Sequence, residues 1–354
     1  MRDADSKRKG GAALRVFSRA GGFVLLTLLL TVIVLVGVIW VMEKGPSPTM
    51  TAVFCRSMRE TSALRWIPGM FLSEEELAAL KSESTENVET EAVNTSLIHI
   101  AEGSARAEAS EDGAQPALEL INISVGRVKG KLLIVKDPSR VILGTSDNLG
   151  HQAGLQLTEM VAKYKGVAGV NAGGFNDENG LGNGGIPQGL VITEGKLVWG
   201  DAATTYSVIG LDKEHILHVG TMTGEQALEQ GIQDGVSFVT HDGMASSLII
   251  NGEVQTHNLA SGVNPRTAIG QRGSDGASLL LVLDGRSINT LGATMENVVD
   301  VMLEYGAVNA GNLDGGSSSV MVYDGEIINN CASVTGPRSI PTGFIVLPEG
   351  ENHD

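Results

Sequence analysis

The run from Phe23 to Met42 holds no charged residue, and this limits what the N-terminal part of the chain can become. Twenty residues wound as α-helix rise roughly 30 Å, the thickness of a bilayer's hydrocarbon core. Such a medium tolerates a backbone only if its polar groups are bonded internally, which a helix achieves. Trp40 sits near one end, where interfacial aromatics collect. Residues 1–20 carry Arg2, Lys7, Arg8, Lys9, Arg15 and Arg19 against Asp3 and Asp5. That basic flank predicts a cytoplasmic N-terminus, with everything after the anchor outside the cell membrane. A cleaved signal peptide would have an apolar core of about 7–15 residues and a small-x-small site after it. No convincing site follows, so the expectation is a retained single-pass anchor, with the bilayer as partner of residues 22–42.

The composition changes twice beyond the anchor. Residues 43–116 read as an extracytoplasmic stalk. Ser73 followed by three glutamates marks a helix start, with Glu76 at the capping-box position. From Lys81 to Pro116, Glu, Ser, Thr and Ala dominate, too little apolar surface to offset the entropy of ordering. Residues 117–348 read as the folded domain, behind a basic tail (1–21) and ahead of a short C-terminal tail (349–354). Residues 43–354 carry 19 Lys and Arg against 39 Asp and Glu, a net of −20 that argues against nucleic acid as a partner. An anionic ligand would need a local island of arginine. Cys55 and Cys331 are the only cysteines; a bridge between them and two separate thiols are both open.

Within the domain, Leu118–Ile123 alternates, and Leu132–Val135 and Val141–Leu143 are short apolar runs, the pattern of strands. Leu157, Met160, Val161 and Tyr164 are spaced as a helix with one buried stripe. Further helices are expected from Thr223, with Gln226 in the box position, and from Thr294, with Val298, Val301, Met302 and Tyr305 on one face. Glu194-Gly195, Asn251-Gly252 and Asp324-Gly325 signal hairpins. Ser278–Leu283 is apolar nearly throughout, as a central strand buried on both faces would be. Strands dominate and helices are few, so the expected fold class is α+β on a mixed β-sheet core.

Four segments share a form: a strand running into Gly, Asn, Asp or Arg. They are Asn171–Asp177, Asn264–Gly270, Asp284-Gly285-Arg286 and Asn312–Ser318. Strand ends are where sheet scaffolds hold functional loops. Each alone also reads as a turn, because Asn, Asp and Gly are ordinary turn residues. Taken together, with Arg338-Ser339-Ile340-Pro341 after them, they resemble the motifs of the phosphodiester glycosidase family, in that family's order. The resemblance covers about residues 117–348. It departs at Ala172-Gly173-Gly174-Phe175, where one of two expected aromatics is missing.

The resemblance implies hydrolysis of a sugar-1-phosphodiester, releasing the sugar and a phosphomonoester. Breaking an anomeric C–O bond develops oxocarbenium character, which a carboxylate stabilises. The departing phosphate calls for arginine, whose planar fork holds two oxygens at once. Asp314 is the first candidate for the catalytic carboxylate. Asp284 is the second, as acid/base or as the orienting partner of an arginine; a structural ion pair between Asp284 and Arg286 reads equally well. Arg266, Arg286 and Arg338 are the phosphate-binding candidates. Asn171 and Asn312 are candidates for sugar hydroxyls, with Gly173, Gly315, Gly316 and Ser317 shaping the loops. No cofactor or metal is called for, although an oxygen-ligated divalent ion near Asp314, Asn312 or Asp177 stays open. His241 beside Asp242 is a weaker acid/base candidate, and His215 and His218 lack a third ligand for zinc. Two rival readings keep the same residues. One is a non-catalytic module that holds a glycan phosphate on a stalk, and the other is a phosphodiesterase that cuts P–O. The basic tail, anchor and spacer suggest work on cell-surface polysaccharide, an expectation by analogy only.

Overall fold

The computed structural model describes residues 2–61, 63–80, 91–100, 117–177, 182–240, 243–287, 290–333 and 336–350, and the side chains from residue 20 onward. The first element, α1, is one helix over Arg2–Lys44. Its Ala20–Lys44 portion is long and apolar enough to cross a membrane, and its most apolar stretch is not covered by protein. The hydroxyls of Thr27 and Thr31 donate to Phe23 O and Thr27 O, both at 2.9 Å, so these polar groups are satisfied within the helix.

The α+β expectation matches the chain: three sheets carry the domain, with few helices. The seven-stranded sheet holds β1 (Leu118–Val125), β2 (Val128–Val135), β10 (Ser247–Ile250), β11 (Glu253–Val254), β12 (Arg266–Arg272), β13 (Ser278–Leu283) and β14 (Ala307–Asn312), in the order β1-β2-β13-β12-β14-β10-β11. A second sheet orders β16 (Glu326–Ile327), β15 (Met321–Tyr323), β4 (Ala168–Asn171), β17 (Thr342–Val346) and β3 (Val141–Thr145). A third orders β6 (Lys196–Trp199), β5 (Val191–Thr193), β9 (Ile232–Ser237), β7 (Thr205–Asp212) and β8 (Leu217–Thr223). The ladders within these sheets are antiparallel. Three of the tightest connections come from the three predicted dipeptides. Glu194-Gly195, Asn251-Gly252 and Asp324-Gly325 all hold positive φ at both positions, the twist that a two-residue hairpin needs.

One core joins all three sheets. Leu133, Leu280 and Val282 meet Val170 and Phe344 of the second sheet and Ile209 and Val236 of the third. Along β13 the side chains alternate. Leu280 and Val282 face this core, whereas Leu279, Leu281 and Leu283 face Val298, Val301 and Met302 of helix α6 (Met295–Glu304). That is the doubly buried central strand read from the sequence. Helix α4 (Leu157–Lys163) covers the second sheet with Leu157, Met160 and Val161. Helix α5 (Gly224–Glu229) covers the third, and its capping box forms as predicted: Gln226 N donates to Thr223 Oγ1 (3.1 Å) and Thr223 N to Gln226 Oε1 (2.7 Å).

Part of the expected stalk behaves differently. After α1 the chain turns into α2 (Pro48–Arg59) and α3 (Glu74–Ala79), and this unit is tied to the end of α1. Phe71 N donates to Glu43 Oε2 (3.0 Å) and Thr51 Oγ1 to Met42 O (2.9 Å). The last turn of α2 then docks on the domain. Residues 91–100 also run against it: Asn94 N reaches Asn251 Oδ1 (2.6 Å), and His99 N reaches Gly273 O (2.9 Å). The physical reason is that Glu60, Ser57 and the Asn94 backbone find buried or exposed polar partners that sequence composition does not display. The remaining spacer, 81–90 and 101–116, lies outside the described residues. Cys55, buried in α2, and Cys331 are both free.

Leu281 is fully buried and Leu120 on the edge strand is 37% exposed. Leu281→Ala should therefore cost about 2–5 kcal/mol and Leu120→Ala less than about 0.5 kcal/mol, read as the shift in chemical-denaturation midpoint of the full chain.

Candidate active site

The buried amide of Asn171, at the end of β4, gathers three of the four sequence motifs. Its Nδ2 donates to Asp314 O (2.6 Å), while Oδ1 accepts from Thr267 Oγ1 (2.8 Å) and Val320 N (3.1 Å). The next residue reinforces this, because Asp314 N donates to Ala172 O (2.9 Å). Leu313 is fully buried, and its N–H reaches Thr267 O (2.9 Å). The loop after β14 is therefore fixed on both sides of the aspartate. Gly315 leads into a single 3-10 turn over Gly316–Ser318. Gly316 has φ 64°, and a Cβ there would sit 3.3 Å from Arg286 Nη2. Glycine is what lets the guanidinium lie against this turn.

The resulting cleft holds a cavity of about 630 Å³, within the usual range for small-ligand sites. Asp314, Gly315, Gly316, Ser317, Arg286 and Arg338 line it together. Arg338 is clamped from behind. Its Nη1 and Nη2 donate to Asp177 Oδ2 (3.0 Å) and Oδ1 (2.7 Å), Nη2 also reaches Gly182 O (3.0 Å), and the cation lies 5.2 Å from the Phe175 ring. The hydrogen-bonded carboxylate raises the Arg338 pKa further above its usual value. Arg286 is held differently. Its Nη2 donates to Thr61 Oγ1 (2.7 Å) and Asn264 Oδ1 (3.1 Å), both neutral oxygens. Burial pulls its pKa down, the nearby Arg266 charge adds to this, and Glu60 opposes it. Arg286 has φ 50°, a left-handed conformation that a residue with a β-carbon adopts less readily.

Asp314 has a different electrostatic setting from the other cleft carboxylates. Burial pushes its pKa up from the usual carboxylate range to about 7, and the Asp177 charge adds to the rise. A hydrogen bond from Ser318, the Arg338 charge and the Gly315 N–H work against it. Among the described lining residues the other carboxylates are Glu60 and Asp177, and each is committed to an arginine at 2.7–2.8 Å.

Several expectations change here. Arg266 does not line the cleft. It is 4% exposed, and its guanidinium is taken up by Glu60 (2.8 Å), Gly262 O and Ala293 O. Asp284 does not line it either. It accepts from Asn330 N (3.0 Å) and from the Asn329 side chain, and burial raises its pKa. It thus pins the loop that carries Ala332 and Ser333 to the cleft, and it forms no ion pair with Arg286 among the described residues. Asn171 and Asn312 are buried scaffold positions, 1% and 2% exposed, and Gly173 packs under Val236 with its N–H on Thr342 Oγ1 (3.1 Å). His218 is buried against Asp212 (2.8 Å), far from the role of a zinc ligand. His241 and Asp242 lie outside the described residues. No group of three or more His, Cys, Asp or Glu gathers at one place among the described residues.

Glu60, Thr61 and Gln188 line the cleft although the sequence motifs did not single them out, and Asp177 was expected only as a possible ion ligand. For the first two a signal existed: Glu60 is the single acidic residue between positions 45 and 73, a stretch whose other charges are Arg56, Arg59 and Arg65.

The sequence profile of the phosphodiester glycosidase family matches residues 164–347, just over half of the chain. The chain belongs to this family. Among curated proteins, an SPbeta prophage-derived uncharacterized protein of Bacillus subtilis, YomE, is 27% identical over 222 residues, covering 61% of this chain. This chain spans about a third (32%) of that relative's length. Among solved structures, the catalytic domain of zebrafish N-acetylglucosamine-1-phosphodiester alpha-N-acetylglucosaminidase, auto-inhibited by its pro-peptide, superposes with a TM-score of 0.54 at 22% identity. The match covers 68% of this chain and 86% of that one, a likeness of fold. The family is described as phosphodiester glycosidases.

The Asp314 environment has a consequence for stability. Unfolded, the carboxyl loses its proton near pH 4; folded, it keeps it to about 7. The folded state binds the proton more tightly, so this contribution is full below pH 4 and is lost as pH rises toward and through 7. Asp314→Asn removes the titration. The wild-type melting temperature should therefore fall relative to that of Asp314→Asn between pH 4 and 8, and a constant difference across that range would refute the assignment.

Proposed function

We propose that this chain is a membrane-anchored glycosidase that hydrolyses the anomeric C–O bond of a sugar-1-phosphodiester at the cell surface. The observation that carries the reading is the position of Asp314. It is the cleft carboxylate with no arginine bonded to it among the described residues, and it lies beside Arg286 and Arg338 in one cleft.

A phosphodiester is an anion, and an ionised aspartate would repel it. A carboxyl that keeps its proton to about pH 7 admits the phosphate between the two arginines and can donate to the departing oxygen. As the C–O bond breaks, the phosphate leaves with the bonding electrons and takes the Asp314 proton. The resulting carboxylate then stands beside the oxocarbenium-like carbon and stabilises it. Water supplies the hydroxyl to the anomeric carbon and returns a proton to Asp314, leaving free sugar and a phosphomonoester. The second ionisation of that phosphomonoester lies near 6, so it is already a good leaving group. Gathering its charge between planar guanidinium forks is the larger task. Arg338 is held rigid for this by Asp177, Gly182 O and the Phe175 ring. With the anchor in the bilayer and the basic tail inside, the cleft faces glycans on the outer surface of the cell.

Asp314→Asn should keep substrate affinity and lose at least about 100-fold in kcat, whereas a glycan-binding module would show no turnover in either form. Hydrolysis in ¹⁸O-water should place the label on the sugar; label on the phosphate would establish P–O cleavage instead. Wild-type kcat/KM should fall as pH rises through about 7. Arg286→Gln should raise KM for a phosphodiester about tenfold or more while changing KM for a neutral aryl glycoside of the same sugar by less than about twofold. Equal effects on both substrates would remove Arg286 from the phosphate site.

A further inference from the structure

The last turn of α2 precedes the family match by about a hundred residues, yet it builds one wall of the cleft: Arg59, Glu60 and Thr61 all line it. Glu60 is the anchor of this wall. Its Oε2 accepts from Arg266 Nη2 and from Asn264 Nδ2, both at 2.8 Å, and its Oε1 accepts from Gly262 N at 2.7 Å. One carboxylate thus satisfies three donors of a single five-residue segment. Nearby, Ser57 Oγ accepts from Val263 N (2.7 Å), and a Cβ on Gly262 would collide with the Ser57 backbone.

These contacts lead directly to the phosphate clamp. Because Asn264 gives its Nδ2 to Glu60, its Oδ1 is turned toward Arg286 Nη2. Thr61, the next residue along, supplies the second oxygen to the same Nη2. Both protein bonds of the Arg286 guanidinium come from this one nitrogen. Its Nη1 and Nε have no protein acceptor among the described residues, so they are left for a ligand. Glu60 also stands next to two arginines, 266 and 286, and offsets the repulsion between them. An arginine side chain left loose would lose rotamer entropy on binding; here that ordering is already met by folding.

We propose that Glu60 and Thr61 are positioning residues of the cleft: they fix Arg286 as a phosphate clamp, so the helix that follows the membrane anchor is part of the substrate site. The proposal deepens the glycosidase reading and rests on it for the identity of the substrate, although not for the binding of phosphate.

The test uses the full chain in detergent and two readouts: calorimetric titration with inorganic phosphate, and kcat and KM for a sugar-1-phosphodiester. Thr61→Val, nearly isosteric and half-buried, should weaken phosphate binding and raise KM about fivefold to tenfold, with kcat changed less than twofold, as loss of a hydrogen bond to a charged group predicts. Glu60→Gln should act in the same direction and more strongly. In an Arg286→Gln background, Thr61→Val should have no further effect on phosphate affinity, because the two act through one group. Ser57→Ala removes a docking bond without touching the Glu60–Asn264–Arg286 chain, and should lower the melting temperature alone.

Should Thr61→Val and Glu60→Gln lower only the melting temperature, as Ser57→Ala does, the segment is structural glue and the proposal fails. It fails equally if either variant raises kcat/KM, since the helix would then obstruct the cleft. If wild type turns over no phosphodiester but binds phosphate, with Thr61→Val weakening that binding, the glycosidase reading falls and the positioning role stands. If wild type turns over the phosphodiester and the variants leave KM untouched, the glycosidase reading stands and the positioning role falls.

Discussion

The hydrogen-bonded amide of Asn171 is the constraint on which the cleft depends. It is 1% exposed and commits both ends of its side chain to backbone and hydroxyl groups on other segments. Leaving one such buried group unpaired costs about 1–3 kcal/mol, and this amide serves three. The strand ends of the seven-stranded and second sheets are thereby drawn to a common point, and Asp314 projects from that point. The sheets supply rigidity on either side: β12 and β14 pair antiparallel from Ala268 with Asn312 to Gln271 with Asn309, so the segment that leads into β12 and the loop that follows β14 are held at one end of the pair.

Much of the fold was legible because it is written locally. The hairpin dipeptides, the capping boxes at Thr223 and Ser73, and the alternation of Ser278–Leu283 all report a backbone preference or a burial pattern within a few residues. The loop around Asp314 was legible for the same reason. The assignment of arginines was not. Arg266 and Arg286 look alike in sequence, but Arg266 opens β12 and is neutralised by Glu60 some two hundred residues earlier, whereas Arg286 follows the end of β13 and is held by uncharged oxygens. Whether a guanidinium is spent or available depends on a tertiary partner, and one chain read alone carries no trace of that pairing. Asp284 failed for a related reason: its carboxylate holds a neighbouring loop through Asn330 rather than facing the cavity.

An acidic protein that takes an anion, as proposed, needs a local exception to its charge. Across most of its surface a phosphate would be repelled. At the cleft, the carboxylates of Asp177 and Glu60 are absorbed by Arg338 and Arg266, and Asp314 keeps its proton to about pH 7. The local balance is therefore inverted without changing the net charge. These two arginines lie within the family match, and the segment joined to α1 supplies the Glu60 carboxylate that pairs Arg266.

The docking of α2 sets a boundary on what can be separated from what. A chain trimmed to begin at residue 117, where strand content starts, would still contain the whole stretch that matches the family. It would also leave the Arg266 guanidinium without its counter-ion and Gly262 N and the Asn264 amide without their acceptor, losses that are costly wherever the groups stay buried. The smallest piece that keeps these bonds intact therefore starts inside α2, and the helix next to α1 is structurally part of the domain it docks on.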